Sequence, residues 1–313
     1  METFLAILVL MTLALVATSP RFYRLRRLPA MSVLMSGGWL AIAAGVLLSP
    51  EGVDLISREA LRNATPLLMM ALGWIGFVIG LQARREVLVN VIRETARLLV
   101  IDVVVSVAVF GGVSLFIILR WTGHHEAAWL MGPAGLLSAA ALGWSMETRS
   151  LVRDRSPRAQ HLALLLRAGG TLSSLAAILW FGILYELPHR VEGGLVLDWT
   201  GAGFRLGLAI LLAILMGALG QLAFRRAGRA REQQLVVSLG IVVFVAGLAT
   251  ELGASPLLAS MLTGVVIANL SGKEFQRFER FIIQAEHVVA VLLALIAGLL
   301  MKLDIQQWGV ILV

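Results

Sequence analysis

The chain has 313 residues, 59% of them hydrophobic and only 14% charged, against about 25% charged in an ordinary soluble domain. That balance excludes one water-soluble core, and the absence of cysteine excludes disulfides and thiolate chemistry. The net charge of +7 does not point to nucleic acid, because the basic residues sit in short stretches between apolar runs.

Those runs are about 17–25 residues long, the length of a membrane-crossing helix. Ten are predicted, at residues 2–18, 31–48, 65–82, 97–119, 127–146, 161–186, 203–223, 235–251, 256–270 and 282–301, and an eleventh begins near Trp308. The first, FLAILVLMTLALVATSP, is followed rather than preceded by basic residues, so it reads as a retained span and not a cleaved signal. Small residues recur, as in GGWLAIAAG and GAGFRLGLAILLAILMGALG, and they permit close helix packing. SPLLASMLTGVVIAN, Ser255 to Asn269, is short, with Pro near its start and Gly inside. It reads either as a tilted span beside a pathway or as a well-packed one. The predicted fold class is an all-α polytopic membrane protein of ten to eleven transmembrane helices.

The basic residues test this count. Nineteen of the 26 lysines and arginines follow odd-numbered spans, among them Arg84, Arg85, Arg225 and Arg226; five follow even-numbered ones, and Arg167 and Arg205 lie inside runs. The positive-inside rule then puts the odd loops in the cytoplasm and the N-terminus outside. A wrong count would scramble that alternation.

No metalloprotease, nucleophile-elbow, P-loop or dinucleotide-binding motif occurs. Of the five histidines only His124 and His125 are close together, and a solvated loop pair accounts for them. The expectation is a protein that is not an enzyme and has no cofactor or metal site. Charges inside spans each need a reason, since one at mid-membrane costs roughly 2.5–3.5 kcal/mol or more. Asp102, in LLVIDVVVSV, reads as the partner of Arg97 or of an arginine on a neighbouring helix, or as a proton or cation ligand. Arg167 precedes Ser174 by two turns on one helical face. It reads as a side chain snorkelling to the headgroups or as a fixed charge near a polar pocket. Arg205 reads as a snorkelling end residue. Glu147, Glu251, Glu286 and His287 fall near span ends, where water is close.

LPAMSVLMSGGWLAIAAGVLLSP (Leu28 to Pro50), LGWIGFVIGLQ (Leu72 to Gln82), ELGASPLLASMLTGVVIAN (Glu251 to Asn269) and ERFIIQAEHVVAVLLALIAGLLMKLDI (Glu279 to Ile305) resemble, in register, four spans of the cation:proton antiporter superfamily. The resemblance implies inverted repeats with crossed, broken helices at mid-membrane. It divides this chain into a first repeat over 1–190 and an incomplete second over 191–313. It implies exchange of a monovalent cation, sodium or potassium, for a proton. It also implies a bacterial cytoplasmic (inner) membrane, and a homodimer or a subunit of a membrane complex. Aligning LSSLAAILWFG with the family's Asn-Asp or Asp-Asp segment places Ser173 and Ser174 on the exchanging acids. The crossing-helix match GLLSAAALGWSME, which runs to Glu147, has Ala139, Ala140 and Ala141 where the family carries polar residues. The ion-pathway candidates are therefore Ser173, Ser174, Asp102, Arg167, Ala140 and Glu147. A serine hydroxyl does not titrate near neutral pH and ligates a cation only as a neutral dipole, so ordinary proton coupling there is expected to fail. One expectation is thus a transporter with altered coupling; the alternative is a transport-inactive scaffold, sensor or subunit. The family carries about three further spans. With this chain ending in the apolar WGVILV, the expectation is a fragment, or a partner that completes the bundle.

Overall fold

The computed structural model describes residues 39–49, 58–85, 157–191, 194–227, 231–270 and 275–300, with Thr12 and short stretches between residues 100 and 116. In chain order these form α1 (Trp39–Leu48), α2 (Arg58–Asn63), α3 (Thr65–Leu81), a π-helical turn (Val107–Gly111), α4 (Pro157–Glu186), β1 (Pro188–Val191), β2 (Gly194–Leu197), α5 (Trp199–Ala227), α6 (Arg231–Glu251), α7 (Pro256–Leu270) and α8 (Phe275–Leu300). The spans expected at 2–18, 97–119 and 127–146 lie wholly or largely outside the described residues.

Local chemistry sets the boundaries. α7 starts with Pro256, whose fixed φ and missing N–H suit a first helical position. Ser255 caps it, its Oγ accepting from Leu258 N at 3.4 Å. α6 ends in a Schellman turn: Gly253 N donates to Thr250 O (3.0 Å) and Ala254 N to Ala249 O (2.8 Å). Gly253 takes φ +68°, which a side chain would resist. α5 is capped by Asp198, whose Oδ1 accepts from Gly201 N at 2.9 Å. Between α4 and α5 the antiparallel hairpin pairs Val191 with Gly194 and Pro188 with Leu197.

The chain divides into two compact units, Met1–Leu72 with Phe281–Val313, and Gly73–Arg280. In the first, α1 and the C-terminal half of α8 approach backbone to backbone. A Cβ at Gly45 would strike the Leu295 carbonyl oxygen, and one at Gly298 the Ile42 carbonyl oxygen. Val291, Leu292, Leu295, Ile296 and Leu299 form the adjoining core with Ala41, Ala44 and Leu68.

In the second unit α7 is central. Gly80 of α3 rests on the Met261 carbonyl and Gly264 of α7 on the Phe77 carbonyl, while Gly220 of α5 fits between Ile241 and Ile267. Glycine at these crossings lets the helices meet closely, where van der Waals contact is the main source of association in lipid. The ends of the helices sort into two groups. At one end Asn269 clamps α3 to α7, its Oδ1 accepting from Arg85 N (2.8 Å) and its Nδ2 donating to Ala83 O (3.1 Å). Gln221 Nε2 of α5 donates to Leu270 O of α7 at the same end. At the other end the close of α4, the start of α5 and the start of α7 converge.

The outward faces of α5 and α6 are apolar. Phe204 is 69% exposed, Leu211 61% and Val236 71%. Leaving such side chains in water forgoes about 1.5–3 kcal/mol each. Trp199–Arg226 and Glu232–Glu251 are long and apolar enough to cross a membrane, and only 33% and 39% of their apolar windows are buried.

Candidate functional site

α4 carries the two serines that the sequence singles out. Both are buried, Ser173 and Ser174 being 2% and 3% exposed, and neither lacks a partner. They lie about one turn before Ile178, which packs with Ile79 of α3 and with Leu258 and Met261 of α7. One turn beyond Ile178, Gly182 lets Leu258 press on the helix: a Cβ there would lie 2.6 Å from Leu258 Cδ2. The hydroxyls thus sit inside the bundle and not on its outer face. The backbone at Arg167 is helical, but its side chain lies outside the described residues, as do Asp102, Ala140 and Glu147.

The charged site of the second unit is elsewhere, and half of it is absent from the sequence reading. Glu186, the last residue of α4, has a fully buried side chain. Its Oε2 accepts from Arg205 Nε of α5 at 3.0 Å. Its Oε1 accepts from the backbone N–H of Ser255 at 2.7 Å. Arg205 Nη2 also donates to the main-chain oxygen of Glu186 at 2.6 Å. One carboxylate therefore joins the end of α4 to the starts of α5 and α7. It stands against the N-terminus of α7, where exposed N–H groups favour negative charge.

This corrects the reading of Arg205 as a snorkelling residue. Its side chain is only 18% exposed and turns inward, because a buried carboxylate without a cation costs more than ordering the arginine. Leu184, Leu187 and Ala202, with Trp180 against them, close the apolar side of this corner.

Glu186 is twelve residues beyond Ser174, about 18 Å along the helix. It is not in the serine socket. Among the described residues it is the one buried carboxylate, and no three metal-ligating side chains converge. Among the described residues, the buried Ser260 Oγ and Trp74 Nε1 have no hydrogen-bond partner. Ser260 faces α3, 3.0 Å from where a Cβ on Gly73 would be.

No protein-family model matches the sequence, and comparison with curated proteins returns no match.

Proposed function

We propose that the chain is an integral membrane protein of the secondary-transporter type, built on the plan of the cation:proton antiporters. In it, movement of a monovalent cation is not tied to a proton at the usual place in the core. The observation that carries this reading is the burial of Ser173 and Ser174 within α4. Two hydroxyls in an apolar bundle are dipoles able to replace part of a cation's hydration shell, but they offer no titratable group.

The bilayer part of the reading draws support from the exposed apolar faces of α5 and α6. It also draws on the sorting of helix ends. Contacts join the ends of α3, α5 and α7, all followed by odd-numbered loops, at one end of the unit. They join the end of α4 and the start of α7, flanked by even-numbered loops, at the other. That arrangement agrees with the alternation of basic residues, from which we infer an outside N-terminus.

The test is tracer uptake, sodium or rubidium, by vesicles reconstituted with the full chain. Uptake above that of protein-free vesicles is expected. A folded protein that moves no monovalent cation removes the transport reading. It leaves the second one, a transport-inactive subunit or scaffold, which has its own support: the one buried carboxylate described is already neutralised by Arg205.

A further inference from the structure

The outward face of α5 ends in a charged pair. Leu211, Leu215, Leu219 and Leu222 are 61%, 57%, 50% and 48% exposed. At about 100° per residue they fall within an arc of roughly 80°. Arg226 continues the same stripe one turn beyond Leu222, and Arg225 flanks it; both are exposed and occupy the last turn of α5. From Leu211 to Arg226 the helix rises about 22 Å, the depth of one bilayer leaflet counted as half of a roughly 40–45 Å bilayer. Arg85 is exposed at the same end of the unit, held there through Asn269. The described charged groups at this end are Arg84, Arg85, Arg225, Arg226 and Glu232, so positive charge prevails.

An apolar stripe of one leaflet's length that leads to two guanidinium groups matches an amphiphile with the opposite order of parts: an acyl chain under an anionic head. Each guanidinium can donate two parallel hydrogen bonds to a phosphate. We propose that this face of α5 is a binding site for an anionic phospholipid of the adjacent leaflet, with Arg225 and Arg226 on the headgroup phosphate and the leucine stripe along an acyl chain. This rests on the membrane reading above.

The full chain is placed in nanodiscs of phosphatidylcholine alone and of phosphatidylcholine with phosphatidylglycerol, and the lipid retained on release is counted by native mass spectrometry. Two arginines at an anionic surface correspond to a preference on the order of thirtyfold for the anionic lipid at low salt. Phosphatidylglycerol is expected to be retained over phosphatidylcholine. The preference is expected to fall in Arg225→Gln/Arg226→Gln and at high salt, and to persist in the control Arg62→Gln, which removes an arginine outside this face. Equal retention of the two lipids, or an unchanged preference in the double variant, overturns the proposal. So does protection of Arg225 and Arg226 from guanidine-modifying reagent by inorganic phosphate in discs that show no lipid preference, since the site is then one for free anions. Cross-linking of a Leu215→Cys variant to a second copy also overturns it, and is clean to read because the chain has no other cysteine. A chain that enters neither kind of disc overturns the membrane reading itself; one that enters both without preference overturns only this proposal.

Discussion

Removing the guanidinium at position 205 is the sharpest perturbation of the folded chain. Arg205→Ala deletes the contacts to Glu186 Oε2 (3.0 Å) and to the Glu186 main-chain oxygen (2.6 Å). The carboxylate stays fully buried, with Ser255 N at 2.7 Å as its remaining described donor. An uncompensated buried charge of this kind costs about 3–5 kcal/mol. Glu186→Ala is milder. It strands the Ser255 N–H, at about 1–3 kcal/mol, but the arginine already reaches water through its 18% exposure and can turn outward. The double variant removes both charges, so its loss falls short of the sum of the single losses by about 1.5 kcal/mol or more. Reversible unfolding in mixed micelles, followed by tryptophan fluorescence, measures all three; Trp180 packs against this corner. Losses that add to within about 0.5 kcal/mol, or an Arg205→Ala variant no less stable than Glu186→Ala, would refute the coupling.

Other substitutions read out the packing and the remaining polar groups. Gly264→Ala places a methyl group against the Phe77 carbonyl and 3.0 Å from Leu81 N, and is expected to lower stability by about 1–3 kcal/mol in the same unfolding assay. Asn269→Leu loses the acceptor for Arg85 N and the donor to Ala83 O. At about 1 kcal/mol per net hydrogen bond, amide exchange at Arg85 is expected to quicken roughly five- to tenfold by hydrogen–deuterium exchange mass spectrometry. Ser260→Ala removes a buried hydroxyl without a partner. It is expected to leave the unfolding midpoint unchanged or raise it, since no hydrogen bond is broken.

Helix positions were legible where apolarity and length coincide. The run 256–270 matches α7 (Pro256–Leu270), and 65–82 matches α3 (Thr65–Leu81) within one residue, because Pro marks both starts. Helices that continue past the apolar stretch were underestimated: 203–223 became Trp199–Ala227, and 282–301 became Phe275–Leu300. Hydropathy ends at the first charges, while backbone hydrogen bonding carries on through Arg225 and Arg226. The hairpin escaped notice because its strands are only four residues each and the Glu192–Gly193 pair between HRV and GLVL is not one of the strong two-residue turn signals. Ser173 and Ser174, singled out in LSSLAAILWFG, are buried within α4. The Glu186–Arg205 pair did not show, because its members are 19 residues apart across that hairpin and no helical spacing brings them together. Its third member, the Ser255 N–H, is a backbone group that no side-chain motif encodes.

The central claim is that α4 presents hydroxyls where proton exchange needs an acid. The direct measurement is a pH-sensitive dye sealed inside vesicles carrying the full chain, with a sodium or potassium pulse applied outside. The expected signal through this site is that of protein-free vesicles, with any residual proton movement abolished by Asp102→Asn. A cation-driven proton flux that persists in Asp102→Asn and disappears in Ser173→Ala/Ser174→Ala contradicts the claim.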